Sequence, residues 1–95
     1  MQGFQRKYLR GLAHKMKPVV QVGKSGVTEA VLEAVGAALL DHELIKVRLH
    51  EPEDKKGLAK ELAEGAEAEL CGLVGHTVIL YRPHPDEPEI KIPTR

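Results

Sequence analysis

Cysteine is nearly absent from this sequence, and the scarcity closes off two kinds of chemistry. Cys71 stands alone, so no internal disulfide can form and no second thiolate is available for a zinc site. Its expected place is the core, in a chain suited to a reducing compartment. Serine is equally scarce: Ser25 is the only one, and no G-x-S-x-G elbow surrounds it, so its expected role is a loop or cap hydroxyl rather than a nucleophile. The histidines, His14, His42, His50, His76 and His84, lack H-x-x-x-H and H-E-x-x-H spacing. No metal site is therefore expected, and no cofactor. No apolar run approaches the ~20 residues that span a bilayer, and residues 1–7 lack the apolar core of a secretory leader. The expectation is a cytoplasmic chain with no membrane attachment. Tryptophan is missing, and the aromatic residues are Phe4, Tyr8 and Tyr81 alone.

What is present indicates one ordinary globular domain. A chain of 95 residues has room for a single core, because it buries only about 60–65% of the surface exposed when unfolded. Apolar residues at 42% and charged residues at 29% are near the averages for folded soluble domains, which excludes a disordered or fibrous chain. The formal net charge of +0 hides a gradient along the chain. Arg6, Lys7, Arg10, Lys15, Lys17 and Lys24 precede the first carboxylate, Glu29, while most carboxylates lie from Glu51 onward. Such asymmetry is the pattern of a polyanion-facing surface opposed by an acidic one.

Periodicity supplies the elements. Phe4, Tyr8, Leu9, Leu12, Ala13 and Met16 recur at helical spacing, which predicts a first helix with Phe4 and Tyr8 toward the core, a basic outer face, and a stop at Pro18. Residues 18–22, bounded by Gly23, read as a strand. Val27, Val31, Ala34, Val35, Ala38 and Leu39 mark a second helix from Val27 to about His42. Leu44-Ile45-Lys46-Val47-Arg48-Leu49 alternates, with Ile45, Val47 and Leu49 on one face and Lys46 and Arg48 on the other. Glu51-Pro52-Glu53-Asp54 is a turn and helix start, and Leu58, Ala59, Leu62, Ala63 and Ala66 carry an acidic amphipathic third helix. Residues 69–74 and 77–81 form a final hairpin about Gly75-His76. The tail after Arg82, with Pro83, Pro85, Pro88 and Pro93, is expected to be extended or loose. The fold class is α/β, a compact two-layer domain over residues 1–82 in the order αβαβαββ with a mixed four-stranded sheet, followed by a proline-rich tail over residues 83–95.

Gly23-Lys24-Ser25-Gly26 joins the first strand to the second helix. Glycines let backbone approach a ligand and permit positive φ, and a helix N-terminus offers unpaired N–H groups to an anion. Lys24 adds a mobile cation and Ser25 a hydroxyl, in the manner of a GxxG loop clamping a nucleotide backbone. Glu29, in the first helical turn, would repel a phosphate unless turned aside. The loop is no Walker motif, since the four-residue interval and the following Lys-Ser/Thr are absent. The first helix delivers its basic face into the same strand, and Lys46 and Arg48 lie on one side of the next, so three basic elements are expected to converge. With few aromatics available, stacking is not expected to be the main device. Two other readings stay open: a phosphate-handling enzyme using the glycine loop as its anion site, and a protein adaptor acting through the acidic third helix.

Gln5-Arg6-Lys7-Tyr8-Leu9-Arg10-Gly11-Leu12-Ala13-His14, Lys17-Pro18-Val19-Val20-Gln21-Val22-Gly23-Lys24-Ser25-Gly26 and His42-Glu43-Leu44-Ile45-Lys46-Val47-Arg48, in this order, resemble the CRM domain of YhbY-like bacterial proteins, whose plant relatives act in organelle intron splicing. The resemblance runs from about Gln2 to Arg82. It implies a fold similar to the C-terminal domain of bacterial translation initiation factor three, RNA binding through the GxxG loop and adjacent basic surface, and, for stand-alone bacterial members, association with precursors of the large ribosomal subunit. By the resemblance, Gly23, Lys24, Ser25 and Gly26 form the loop; charge and patterning add Arg6, Lys7, Arg10, Lys17, Lys46 and Arg48. The expected protein is a monomeric, non-catalytic binder of structured ribosomal RNA.

Overall fold

The computed structural model describes residues 1–94. Seven elements follow in the expected order: α1 (Gly3–Ala13), β1 (Val20–Val22), α2 (Glu29–His42), β2 (Leu44–Leu49), α3 (Lys55–Gly65), β3 (Glu69–Val74) and β4 (Thr77–Tyr81). The last three strands have the bounds that alternation and turn residues predict. Helix ends differ, and the local hydrogen bonds give the reasons. α1 stops before Met16 because the Met16 N–H donates to the Ala13 carbonyl at 3.0 Å and closes a turn. α2 starts after Val27 because the Thr28 hydroxyl accepts from the Val31 N–H at 3.2 Å, an N-cap contributing about 1 kcal/mol. Asp54 caps α3 in the same way, accepting from the Gly57 N–H at 3.0 Å.

The sheet order is β1-β2-β4-β3. β1 is parallel to β2, with Val22 opposite Leu49 and Gln21 opposite Arg48. β4 lies antiparallel to both β2 and β3. Side chains alternate across this sheet, and two buried clusters fill its opposite faces. Val22, Ile45, Val47, Leu49, Val78 and Leu80 meet Val35 and Leu39 of α2 and Ala59, Leu62 and Ala63 of α3. On the other face Leu44, Cys71, Ile79 and Tyr81 meet Leu9 and Ala13 of α1. Each buried leucine or isoleucine contributes about 2 kcal/mol. The mixed four-stranded sheet with three helices is therefore as read from the sequence, while α1, lying across the sheet from α2 and α3, adds a partial third layer.

The tail is held, not loose. Glu43 caps α2 at φ 62°, is only 4% exposed, and its carboxylate accepts from the backbone N–H groups of His84 at 2.6 Å, Glu89 at 2.8 Å and Ile90 at 2.9 Å. Ile90 and Ile92 then pack against the α1 cluster, and the Gln5 side chain donates to the Pro93 carbonyl at 3.2 Å. Tail and α1 together cover the Leu44 end of the sheet face.

Candidate functional site

Because α1 covers only part of its face, the sheet emerges beside it as a groove. Along β2 the side chains on this face run Leu44, Lys46, Arg48, from covered to open. Their neighbours on β4 are Tyr81, Ile79 and Thr77, so the greasy end lies under α1 and the charged end faces solvent. The groove encloses about 720 Å³. Lys7, Arg10 and Gly11 of α1, with His14 at its C-cap, form one wall, and Lys46 and Arg48 form part of the other. Val74 and Ile79, with Thr77 between them, supply its floor, and among the described residues no carboxylate lines it.

Two of these cations are anchored by backbone carbonyls. The Lys46 ammonium donates to the His14 carbonyl at 3.1 Å, and the Arg10 guanidinium donates to the Cys71 carbonyl at 2.7 Å. A β-bulge between Leu70 and Gly72 exposes that carbonyl, since a bulge breaks the regular ladder. Arg10 still has further N–H groups for an anion. The side chains of Lys7 and Arg48 make no hydrogen bond or ion pair among the described residues, and both residues are exposed. The arrangement offers four positive groups to a polyanion, none of them in an ion pair among the described residues.

The remaining sequence candidates lie elsewhere. Arg6 faces Glu69 at 3.9 Å, both side chains more than a third exposed; this is a solvent-screened pair contributing little. Lys17 is exposed but does not line the groove. Residues 23–26 form a tight turn closed by the Gly26 N–H donating to the Gly23 carbonyl at 3.1 Å, with Gly26 at φ 73°. Lys24 shares its cleft with His50, Glu51, Glu53 and Asp54. The parallel pairing of Val22 with Leu49 brings the two following loops together, basic against acidic. The Gly26 N–H is spent on the turn and the Thr28 hydroxyl takes the Val31 N–H of α2, so fewer amides are open here than the sequence suggests. The turn and Arg48 nonetheless share one end of the sheet, because Gln21 is opposite Arg48 and Gly23 is two residues on.

A further correction concerns the aromatics. Tyr8 is 41% exposed and Phe4 half-buried, because α1 meets the sheet through the narrow i, i+4 seam of Leu9 and Ala13. The apolar stripe read from the sequence is wider than that seam. Sequence reasoning also passed over His14 and the bulge carbonyl of Cys71; neither carries a local signal, since both act through backbone oxygens. Cys71 itself is buried as expected. Burial, helped by Glu69 and opposed by Arg6 and Arg10, pushes its thiol up to about 11, which keeps it protonated at neutral pH. Among the described residues no group of His, Cys, Asp and Glu is arranged to hold a metal ion, and no helix is long and apolar enough to cross a membrane.

Comparison with known proteins adds a second, independent line. The family described as the CRS1 / YhbY (CRM) domain matches residues 1–82. The chain is 36% identical over 93 residues to the "Probable RNA-binding protein YqeI" of Bacillus subtilis, covering 96% of this chain and 97% of that one. It is 38% identical over 93 residues to an "RNA-binding protein" of Haemophilus influenzae, covering 96% and 93%. The solution structure of a hypothetical protein from Staphylococcus aureus superposes with a TM-score of 0.85 at 37% identity, over 98% of this chain and 99% of that one.

Proposed function

The chain belongs to the CRS1 / YhbY (CRM) domain family, and from that membership and the cationic groove we propose that it is a non-catalytic RNA-binding protein. The observation that carries this reading is the gathering of Lys7, Arg10, Lys46 and Arg48 around one groove that no carboxylate lines among the described residues. Phosphates provide most of the affinity for such a surface, and their neutralisation makes binding salt-dependent. The two relatives named as RNA-binding proteins support the same polyanion.

The finer reading is a monomer that engages structured ribosomal RNA during assembly of the large subunit, in the cytoplasm. In this reading Gly23, Lys24, Ser25 and Gly26 extend the groove at the Arg48 end and hold the backbone of the same RNA. Lys24, flanked by Glu51, Glu53 and Asp54, contributes less charge than its sequence context suggests. Arg6 and Lys17 act at most as outlying cations.

Retention of a ribosomal RNA hairpin, measured by fluorescence anisotropy, tests the proposal. With about four phosphates of a single-stranded segment neutralised, log affinity falls with log salt at a slope of roughly −2.8, or about 50-fold between 50 and 200 mM. Lys7→Glu with Arg48→Glu is expected to abolish retention with the circular dichroism spectrum unchanged; retention equal to the parent would refute the groove. Lys24→Glu with Gly26→Asp tests the loop separately. Crosslinking and sequencing of bound RNA names the target, and turnover of a nucleotide by the purified chain would overturn the non-catalytic reading.

A further inference from the structure

We propose that Tyr8 is a stacking platform for an unpaired nucleobase, so that the RNA bound by this protein carries a loop or bulged nucleotide where it crosses α1; the inference rests on the RNA-binding reading above. Tyr8 and Leu12, at 41% and 43% exposed, form a shallow apolar depression on the outer face of α1 together with Phe4 and Pro93. Tyr81, by contrast, is buried at 5%, so Tyr8 is the tyrosine ring that a ligand can reach.

The position of the depression identifies its occupant. It shares Lys7 and Gly11 with the cationic groove, and these two residues are neighbours at i, i+4 on the helix surface. Gly11 carries no side chain, and nothing lies within 4 Å of where a β-carbon would stand, so the ridge between the two hollows is low. A strand whose phosphate rests on Lys7 has its attached base beside the Tyr8 ring. Among the described residues no carboxylate lines either hollow, which suits a polyanion on both sides of the ridge. A patch of four apolar side chains is small against the roughly 800 Å² that a stable protein partner buries on each side, but one ring and its aliphatic rim match the face of a single base. Bases within a duplex are already stacked and paired, so only an unpaired one can use the ring.

The test compares two RNAs of equal length, a hairpin with an unpaired loop and a blunt duplex, on the parent chain and on Tyr8→Ala and Tyr8→Trp. Stacking on one ring predicts that Tyr8→Ala weakens hairpin binding by about 5- to 150-fold and leaves duplex binding and the salt slope unchanged. Tyr8→Trp is expected to retain hairpin affinity, and, as the only tryptophan in the chain, its emission is expected to be quenched by hairpin and not by duplex. Equal losses on both RNAs, or none, would overturn the stacking role while leaving the groove intact. A dimer of the parent chain that Tyr8→Ala dissociates, with hairpin affinity unchanged, would overturn it in favour of contact between copies. If the parent binds neither RNA, the RNA-binding reading itself falls.

Discussion

Arg10 lies flat across Gly72: a β-carbon at residue 72 would stand 2.6 Å from its Cδ and 3.1 Å from its Cγ. The bulge that turns Gly72 toward α1 also frees the Cys71 carbonyl that accepts from Arg10 at 2.7 Å. Strand and helix thus cooperate to hold one guanidinium at the wall of the groove. Gly72→Ala is expected to drive Arg10 off this seat. Loss of a hydrogen bond from a charged donor corresponds to roughly 1.5 kcal/mol, read as a melting temperature several degrees lower. RNA affinity is expected to fall about tenfold, while Arg10→Ala shows little further loss when combined with it, because the two changes remove one interaction.

The groove and the loop are separable by their salt dependence. Replacing Lys7 or Arg48 by alanine removes a cation with no side-chain partner among the described residues, so each is expected to reduce the salt slope of RNA binding by about 0.7 to 0.9. Lys24→Ala is expected to reduce it by less, since Glu51, Glu53 and Asp54 share its cleft. Anisotropy titrations at a series of potassium chloride concentrations distinguish the two.

Acid is expected to detach the tail. Burial alone would raise the Glu43 carboxyl, but the backbone N–H groups of His84, Ile90 and Glu89, with the nearby His84 ring, outweigh it and hold the group below the ordinary carboxylate range. A carboxyl lowered in the folded state stabilises that state above its unfolded value, and the stabilisation is lost as pH falls through the folded value. Thermal melts of the parent and Glu43→Ala should therefore differ by about 2 kcal/mol at neutral pH and converge in acid. Hydrogen exchange at Glu89 and Ile90 should accelerate over the same range.

Cys71 should be silent in the folded protein. With its thiol pushed up to about 11, about one molecule in a thousand carries the thiolate at pH 8, and the sulfur is buried among Leu9, Ala13 and Ile79. A thiol-specific chromogenic reagent is expected to react only on unfolding, so its rate reports global opening.

Much of this was legible from residue order because it is local. The alternation in Leu44–Leu49 identified one buried face and placed Lys46 and Arg48 together on the other, and the final hairpin followed from Gly75-His76. What escaped depends on partners distant in sequence. Lys24 looked free until the pairing of Val22 with Leu49 brought the acidic turn beside it. The proline-rich tail looked loose because nothing near it in sequence binds it; its anchor is Glu43, some forty residues earlier, at a backbone angle uncommon for a residue with a side chain. Tyr8 looked like core because helical spacing records which residues are apolar, not how wide a seam the sheet can cover.

The hydrogen bond from Gln5 to Pro93 bears on how binding should be measured. Pro93 lies beside Phe4 and Tyr8, so a bulky label attached at that position would shade the helix from a long nucleic acid. Apparent affinities of samples labelled at Pro93 and unlabelled samples are therefore expected to differ. A reporter is better carried on the exposed side of α3, at Glu64, across the sheet from α1 and the groove.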